Sequence, residues 1–187
     1  MTRDDDEPEI GDWYIEVAGR RISQRKAAAY HEAGHAVVAC HFDWWINHEG
    51  VEIDARQYTG LRCYAIDMTA SRQVPICLAG WLAEHKWHGC GPTFQPDEGL
   101  ASEIDDIRLD WGEAEGDSFD ALKILANELP SATDDELIAL FREHETATWD
   151  LLSDPEVWSQ IERVATALVE TGKLSADEVA AALADPA

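Results

Sequence analysis

The sequence predicts a mainly α fold of the α+β type, helix-dominated, with one small β-hairpin beside the first long helix. Apolar residues recur at three- and four-residue spacing through most of the chain, as on amphipathic helices. Helix-start signals precede these stretches at Ser23, Ser102, Thr133, Asp154 and Ser175. Only after Gly50 does the period change to two.

The first ten residues, with Asp4, Asp5, Asp6, Glu7 and Glu9, carry too little apolar surface to pack, so 1–12 is expected to be an acidic tail. A strand-like piece at 13–17 precedes Gly19. Ser23 then caps a long helix expected over 24–45. Val51, Ile53 and Ala55 alternate with polar residues, Gly60 marks a turn, and Leu61, Cys63 and Ala65 alternate again, a hairpin over 51–67. A second helix is expected over 71–88, with Pro75 near its start and Gly89 as its stop.

After Pro92 and Pro96, Ser102 is expected to cap a third helix. In it Leu100, Ile104, Ile107 and Trp111 share a face, and Glu103, Asp106 and Asp110 run along the adjoining stripe. Phe119, Leu122, Leu125 and Leu129 make one apolar face of the next helix. Thr133 to Glu136 is a capping box, Asp154-Pro155 opens another helix, and Ser175 to Glu178 the last. A single domain over 13–187 follows: first helix and hairpin at 23–67, a middle region at 71–115, and a helical tail at 117–185.

The net charge of −24 among 187 residues argues against nucleic acid and anionic membrane surfaces as partners, and a charge-steered substrate should be basic or neutral. Cys40, Cys63, Cys77 and Cys90 form no C-x-x-C pair, so they read as reduced core residues. No secretory leader or membrane-length apolar run is visible, and a cytoplasmic protein is the expectation.

The chemistry-bearing stretch is Ala27-Ala-Ala-Tyr-His-Glu-Ala-Gly-His-Ala-Val-Val38, which holds a His-Glu-x-x-His pattern at His31, Glu32 and His35. Positions i and i+4 share a helix face, so both imidazoles can converge on one Zn²⁺ while Glu32 reaches a water beside it. Two histidines and a glutamate on an Ala/Val-rich helix would be costly to bury without such a partner. A catalytic zinc takes three protein ligands and keeps a position for water. His41 and His48 fall at the wrong offsets for the third. Glu84, Glu103, Asp105, Asp106 and Asp110 are candidates by type, and spacing does not choose among them. His85, His88 and Cys90 read more simply as a helix end than as a second metal cluster. Most of the eight tryptophans read as packing residues rather than a substrate groove.

Ala29-Tyr-His-Glu-Ala-Gly-His-Ala36 resembles the zinc motif of the peptidase domain of FtsH, the AAA+ metalloprotease family. The likeness extends through Val51-Glu-Ile-Asp-Ala-Arg56, Gly60-Leu-Arg-Cys-Tyr64 and Leu78-Ala-Gly-Trp-Leu-Ala-Glu84 to Gly89, covering about residues 26–109. The resemblance implies a zinc metalloendopeptidase with Glu32 as general base. It implies a third ligand at Asp106, in Ser102-Glu-Ile-Asp-Asp-Ile107, and a role for Glu84 in orienting a ligand. No G-x-x-x-x-G-K-[ST] occurs, so the expected protein is that peptidase domain without its own ATPase. Extended or unfolded polypeptide, added to the hairpin edge, would be its substrate. A separate ATPase or self-assembly are the partners such a domain would have. The alternative is a zinc-containing interaction module, derived from such a peptidase, that has lost turnover.

Overall fold

In a computed structural model of the chain, residues 14–17, 20–44, 46, 50–53, 69–93, 95–109 and 116–184 are described. Among these residues the architecture is helix-dominated, with two small antiparallel sheets. Strands β1 (Tyr14–Val17) and β2 (Arg20–Ser23) pair in register Tyr14 to Ser23 and Val17 to Arg20. Helix α1 (Gln24–His41) follows at once, with the Ser23 hydroxyl accepting from the Lys26 amide, a cap contributing about 1 kcal/mol. The segment β3 (Val51–Glu52) is followed by α2 (Ala70–His88), α3 (Asp97–Arg108), α4 (Asp117–Glu128), α5 (Asp134–Leu152) and α6 (Pro155–Thr171). Strand β4 (Lys173–Leu174) and α7 (Ala176–Ala184) close the described chain.

Helix α1 lies at the centre, packed on α2 and α6, while α2 packs in turn on α4 and α5. Its residues from Glu32 to Ala39 are all buried, so α1 has no solvent face there. Small side chains make that possible. A Cβ on Gly34 would lie 2.4 Å from the Ala79 carbonyl oxygen and 2.7 Å from the Ala83 Cβ, so α1 and α2 meet backbone to backbone at this glycine. Leu78, Leu82, Leu122, Phe141, Leu152, Ile161 and Leu168 fill the core around them.

Two helix boundaries differ from expectation. Helix α1 stops at His41, not at 45, because Asp43 adopts φ 60°. The Asp43 amide then donates to Cys40 and the Trp44 amide to Ala39, closing a Schellman motif in which aspartate replaces the usual glycine. Helix α3 starts at Asp97, well before Ser102. Pro96 sits at its N-cap with no side-chain bond, Asp97 and Glu98 occupy the first turn where the helix dipole favours acid, and Ser102 is an exposed interior residue.

The capping box at Thr133 and Glu136 is present, and Asp154 caps α6 by accepting from the Glu156 and Val157 amides. Ser175 and Glu178 exchange the same reciprocal bonds at the start of α7. Val51–Glu52 pairs with Lys173–Leu174, with Lys173 Nζ 2.9 Å from Glu52 Oε2. The turn and return strand of the expected hairpin, residues 54–68, fall outside the described residues, as do Asp110 and Trp111. Cys40, Cys77 and Cys90 are free thiols, and burial, with Asp120 and Asp117 nearby, pushes the Cys77 thiol up to about 12. No helix among the described residues is long and apolar enough to cross a membrane.

Candidate metal centre

His31 and His35, one turn apart on α1, bring their Nε2 atoms to 3.1 Å of each other. The third group beside them is Asp117, the first residue of α4. Its Oδ2 lies 3.1 Å from His31 Nε2 and 3.3 Å from His35 Nε2. The three atoms form a nearly equilateral triangle. Ligands about 2.1 Å from a tetrahedral zinc stand about 3.4 Å apart, close to these edges, so an ion placed off the plane of this triangle meets all three at bonding distance. Among the described residues, this is the group of histidine, cysteine and acid side chains with metal-binding spacing.

The surroundings prepare the imidazoles for that role. His35 Nδ1 is 2.7 Å from the Ile76 carbonyl oxygen, to which only an N–H can donate, so its Nε2 lone pair is the one left facing the triangle. His31 Nδ1 is 3.6 Å from Glu84 Oε2, and the other oxygen of Glu84 is 3.5 Å from His88 Nε2. Glu84 therefore stands behind His31, on the side away from Asp117. Glu32 is almost fully buried, at 1% exposure, next to His31 in sequence.

Charge in the triangle is unbalanced without a cation. Burial alone lowers the pKa of His31, but the Asp117 and Glu84 carboxylates outweigh it and push the value up to about 10. For His35, burial is again outweighed by Asp117. Burial raises Asp117, yet the two imidazoles hold its carboxyl well below the usual carboxylate range. The convergence of three acceptor atoms is stable only with a positive charge, proton or metal, between them.

Gly80 on α2 makes room for the triangle. A Cβ at that position would lie 2.2 Å from His35 Nε2 and 2.7 Å from His31 Nε2. Gly80→Ala is therefore expected to push both imidazoles off the triangle and weaken zinc binding by roughly 10- to 100-fold, the scale of an overpacked contact. Competition with a chromophoric chelator measures this, and circular dichroism should show the helices retained. Unchanged affinity would mean that the imidazoles face elsewhere.

The candidate third ligand moves from Asp106 to Asp117. On α3 the buried residues are Leu100 and Ile104, and Asp106 falls off that face, partly exposed and outside the cluster. Asp105 is exposed, and Glu103 instead accepts from Gln95 and Ser118. A signal for Asp117 was present in the chain. Asp117, Ala121 and Leu125 follow at i, i+4 and i+8, and the latter two are fully buried, so the aspartate continues the inward face of α4. His85 and His88 assemble no second cluster: His85 Nδ1 lies 3.3 Å from the Gly91 carbonyl oxygen, and His88 faces Glu84. The tryptophans divide. Trp87 and Trp158 stack on Tyr30, and Trp149 and Trp158 flank Lys86, whereas Trp81 lines a cleft that opens at Asp117.

The chain matches no protein-family model and no curated protein. The likeness to the FtsH peptidase domain rests on the residues quoted for it above.

Proposed function

We propose that the chain is a zinc-dependent peptidase in which His31, His35 and Asp117 hold the metal and Glu32 is the general base. The observation that carries this reading is the triangle of His31 Nε2, His35 Nε2 and Asp117 Oδ2, with edges of 3.1 to 3.3 Å, beside a buried glutamate. The donor set suits zinc: two neutral imidazoles and one carboxylate leave a fourth position for water. A bound zinc ion would supply Lewis acidity, activating water near neutral pH and polarising a peptide carbonyl.

The protein's own groups account for the remaining chemistry. The Glu32 carboxylate accepts the proton of the attacking water and returns it to the leaving amine. The Ile76 carbonyl holds the outer nitrogen of His35 and so fixes which nitrogen faces inward, while Glu84 faces the outer nitrogen of His31 at 3.6 Å. The substrate on this reading is unfolded or extended polypeptide. A separate ATPase or self-assembly would be needed for work on folded proteins.

Protein purified without chelator is expected to contain about one zinc per chain and to cleave an unfolded protein; dipicolinate should abolish cleavage and added zinc restore it. Full zinc occupancy without metal-dependent cleavage would favour the interaction module instead. Absence of bound zinc would remove both readings.

Zinc affinity should also depend on pH in a defined direction. Because the metal-free His31 holds its proton up to about 10, zinc must displace it, and apparent affinity should rise with pH, by up to about tenfold per unit per proton released. Stability of the metal-free form should move the other way. A raised histidine pKa contributes stability that is complete below its unfolded value of about 6.5 and is lost as pH rises through about 10. Calorimetry of zinc binding in buffers of differing ionisation enthalpy tests the proton release. Binding with no proton exchange at pH 7 would contradict it.

A further inference from the structure

A cleft of about 150 Å³ opens at Asp117 and is lined by Trp81, Gln95, Asp117, Ser118, Phe141 and Glu145. Its position at the candidate metal ligand makes it the natural receptacle for a side chain flanking the bond to be cut. Two aromatic residues form its apolar walls. The polar part of the wall is unequally charged. Glu145, only 3% exposed, accepts from Arg142 through both oxygens. Arg142 also donates to Asp97 and to the Gln95 carbonyl, so one guanidinium serves two carboxylates.

Behind Gln95 and Ser118 lies Glu103. Its Oε1 accepts from both of those side chains, while its Oε2 is buried and accepts no hydrogen bond from the described residues. Among the described residues, the cleft is thus backed by Glu103, Glu145 and Asp97, with Arg142 as the cation that pairs with the last two. Burial, opposed by Arg142, raises the carboxyl pKa of Glu145, as expected where one cation is shared. An aromatic-walled cleft with surplus negative charge behind it suits a long aliphatic stem ending in a cation, whose stem and head can both lie against the Trp81 ring. An acidic side chain would be repelled from it.

From this we propose that the cleft is a specificity pocket for an arginine or lysine side chain next to the scissile bond, with Glu103 and Glu145 as its selecting charges. The inference rests on the peptidase reading and adds the substrate class. The overall charge of −24 favours the same class of polypeptide at longer range.

The test uses the zinc-loaded full chain and a reduced, alkylated protein containing all residue types, with the cut positions mapped by mass spectrometry. Arginine and lysine are expected to be enriched at one position flanking the cuts. Peptides matched to the best site should lose roughly tenfold or more in kcat/KM when the basic residue becomes norleucine, and more still when it becomes glutamate, the scale of one charge-assisted contact. Glu103→Gln should flatten that ratio mainly by lowering the rate on the basic peptide. Glu145→Gln should do the same, and if loss of its buried ion pair with Arg142 unfolds that variant, Glu103→Gln alone decides. Cuts with no basic enrichment, or a ratio unchanged in Glu103→Gln, would overturn the pocket assignment and leave the peptidase reading standing. No metal-dependent cuts at all would remove that reading, and the pocket with it.

Discussion

Asp117→Asn should release zinc, while Asp106→Asn should leave it bound. Losing a charged oxygen from a three-ligand site, with both imidazoles kept, is expected to weaken zinc by 100-fold or more, since a neutral amide oxygen replaces a carboxylate in direct contact with a divalent ion. Asp106 lies on α3, off its buried face, and its replacement should behave as a surface change within about 0.5 kcal/mol in stability. Chelator competition on the two variants, with melting curves taken in parallel, separates the ligand from the bystander. Zinc lost from Asp106→Asn and kept by Asp117→Asn would overturn the triangle as the metal site.

Glu32→Gln should have the opposite signature, with zinc retained and turnover lowered by roughly 100-fold or more, the usual scale of a missing general base. Glutamine is close to isosteric, and Glu32 is not one of the three triangle atoms, so fold and metal content should stay near wild type. Activity should fall through kcat more than through KM, because the lost proton transfer belongs to the transition state. Comparable kcat in the variant and the wild type would exclude Glu32 from the chemistry.

The part of the site that could be read from the sequence is the part that is local. His31, Glu32 and His35 sit within five residues of α1, where helix geometry alone fixes their relation. Asp117 comes from a separate helix, and its arrival depends on how α4 docks on α2, which no local spacing encodes. The inward stripe of Asp117, Ala121 and Leu125 marked it as an acid on a buried face, but the acids that are candidates by type, Glu84 and those from Glu103 to Asp110, all precede it in the chain.

Helix limits divide in the same way. Where a side chain supplies the cap, as at Ser23, Thr133 and Asp154, the start was legible. The start of α3 at Pro96 and the end of α1 at Asp43 were not. The first has no side-chain cap, and the second depends on aspartate in a left-handed conformation that glycine or asparagine normally occupies.

The notch at Gly80 has a further consequence for motion. Helix α2 packs against both α1 and α4, and the two histidines meet Asp117 beside the one α2 residue that has no side chain. A cation in the triangle would replace the direct His31–Asp117 and His35–Asp117 pairs with coordinate bonds and so tie α1 more firmly to the first turn of α4. The Asp120 amide in that first turn, which donates to the Gly116 carbonyl, would then exchange with solvent by opening of the α4 end in the metal-free chain. In the loaded chain it would exchange only after the ion departs. Where reclosing is slower than exchange, its rate would report the lifetime of the bound metal, a clock read at the backbone rather than at the active centre.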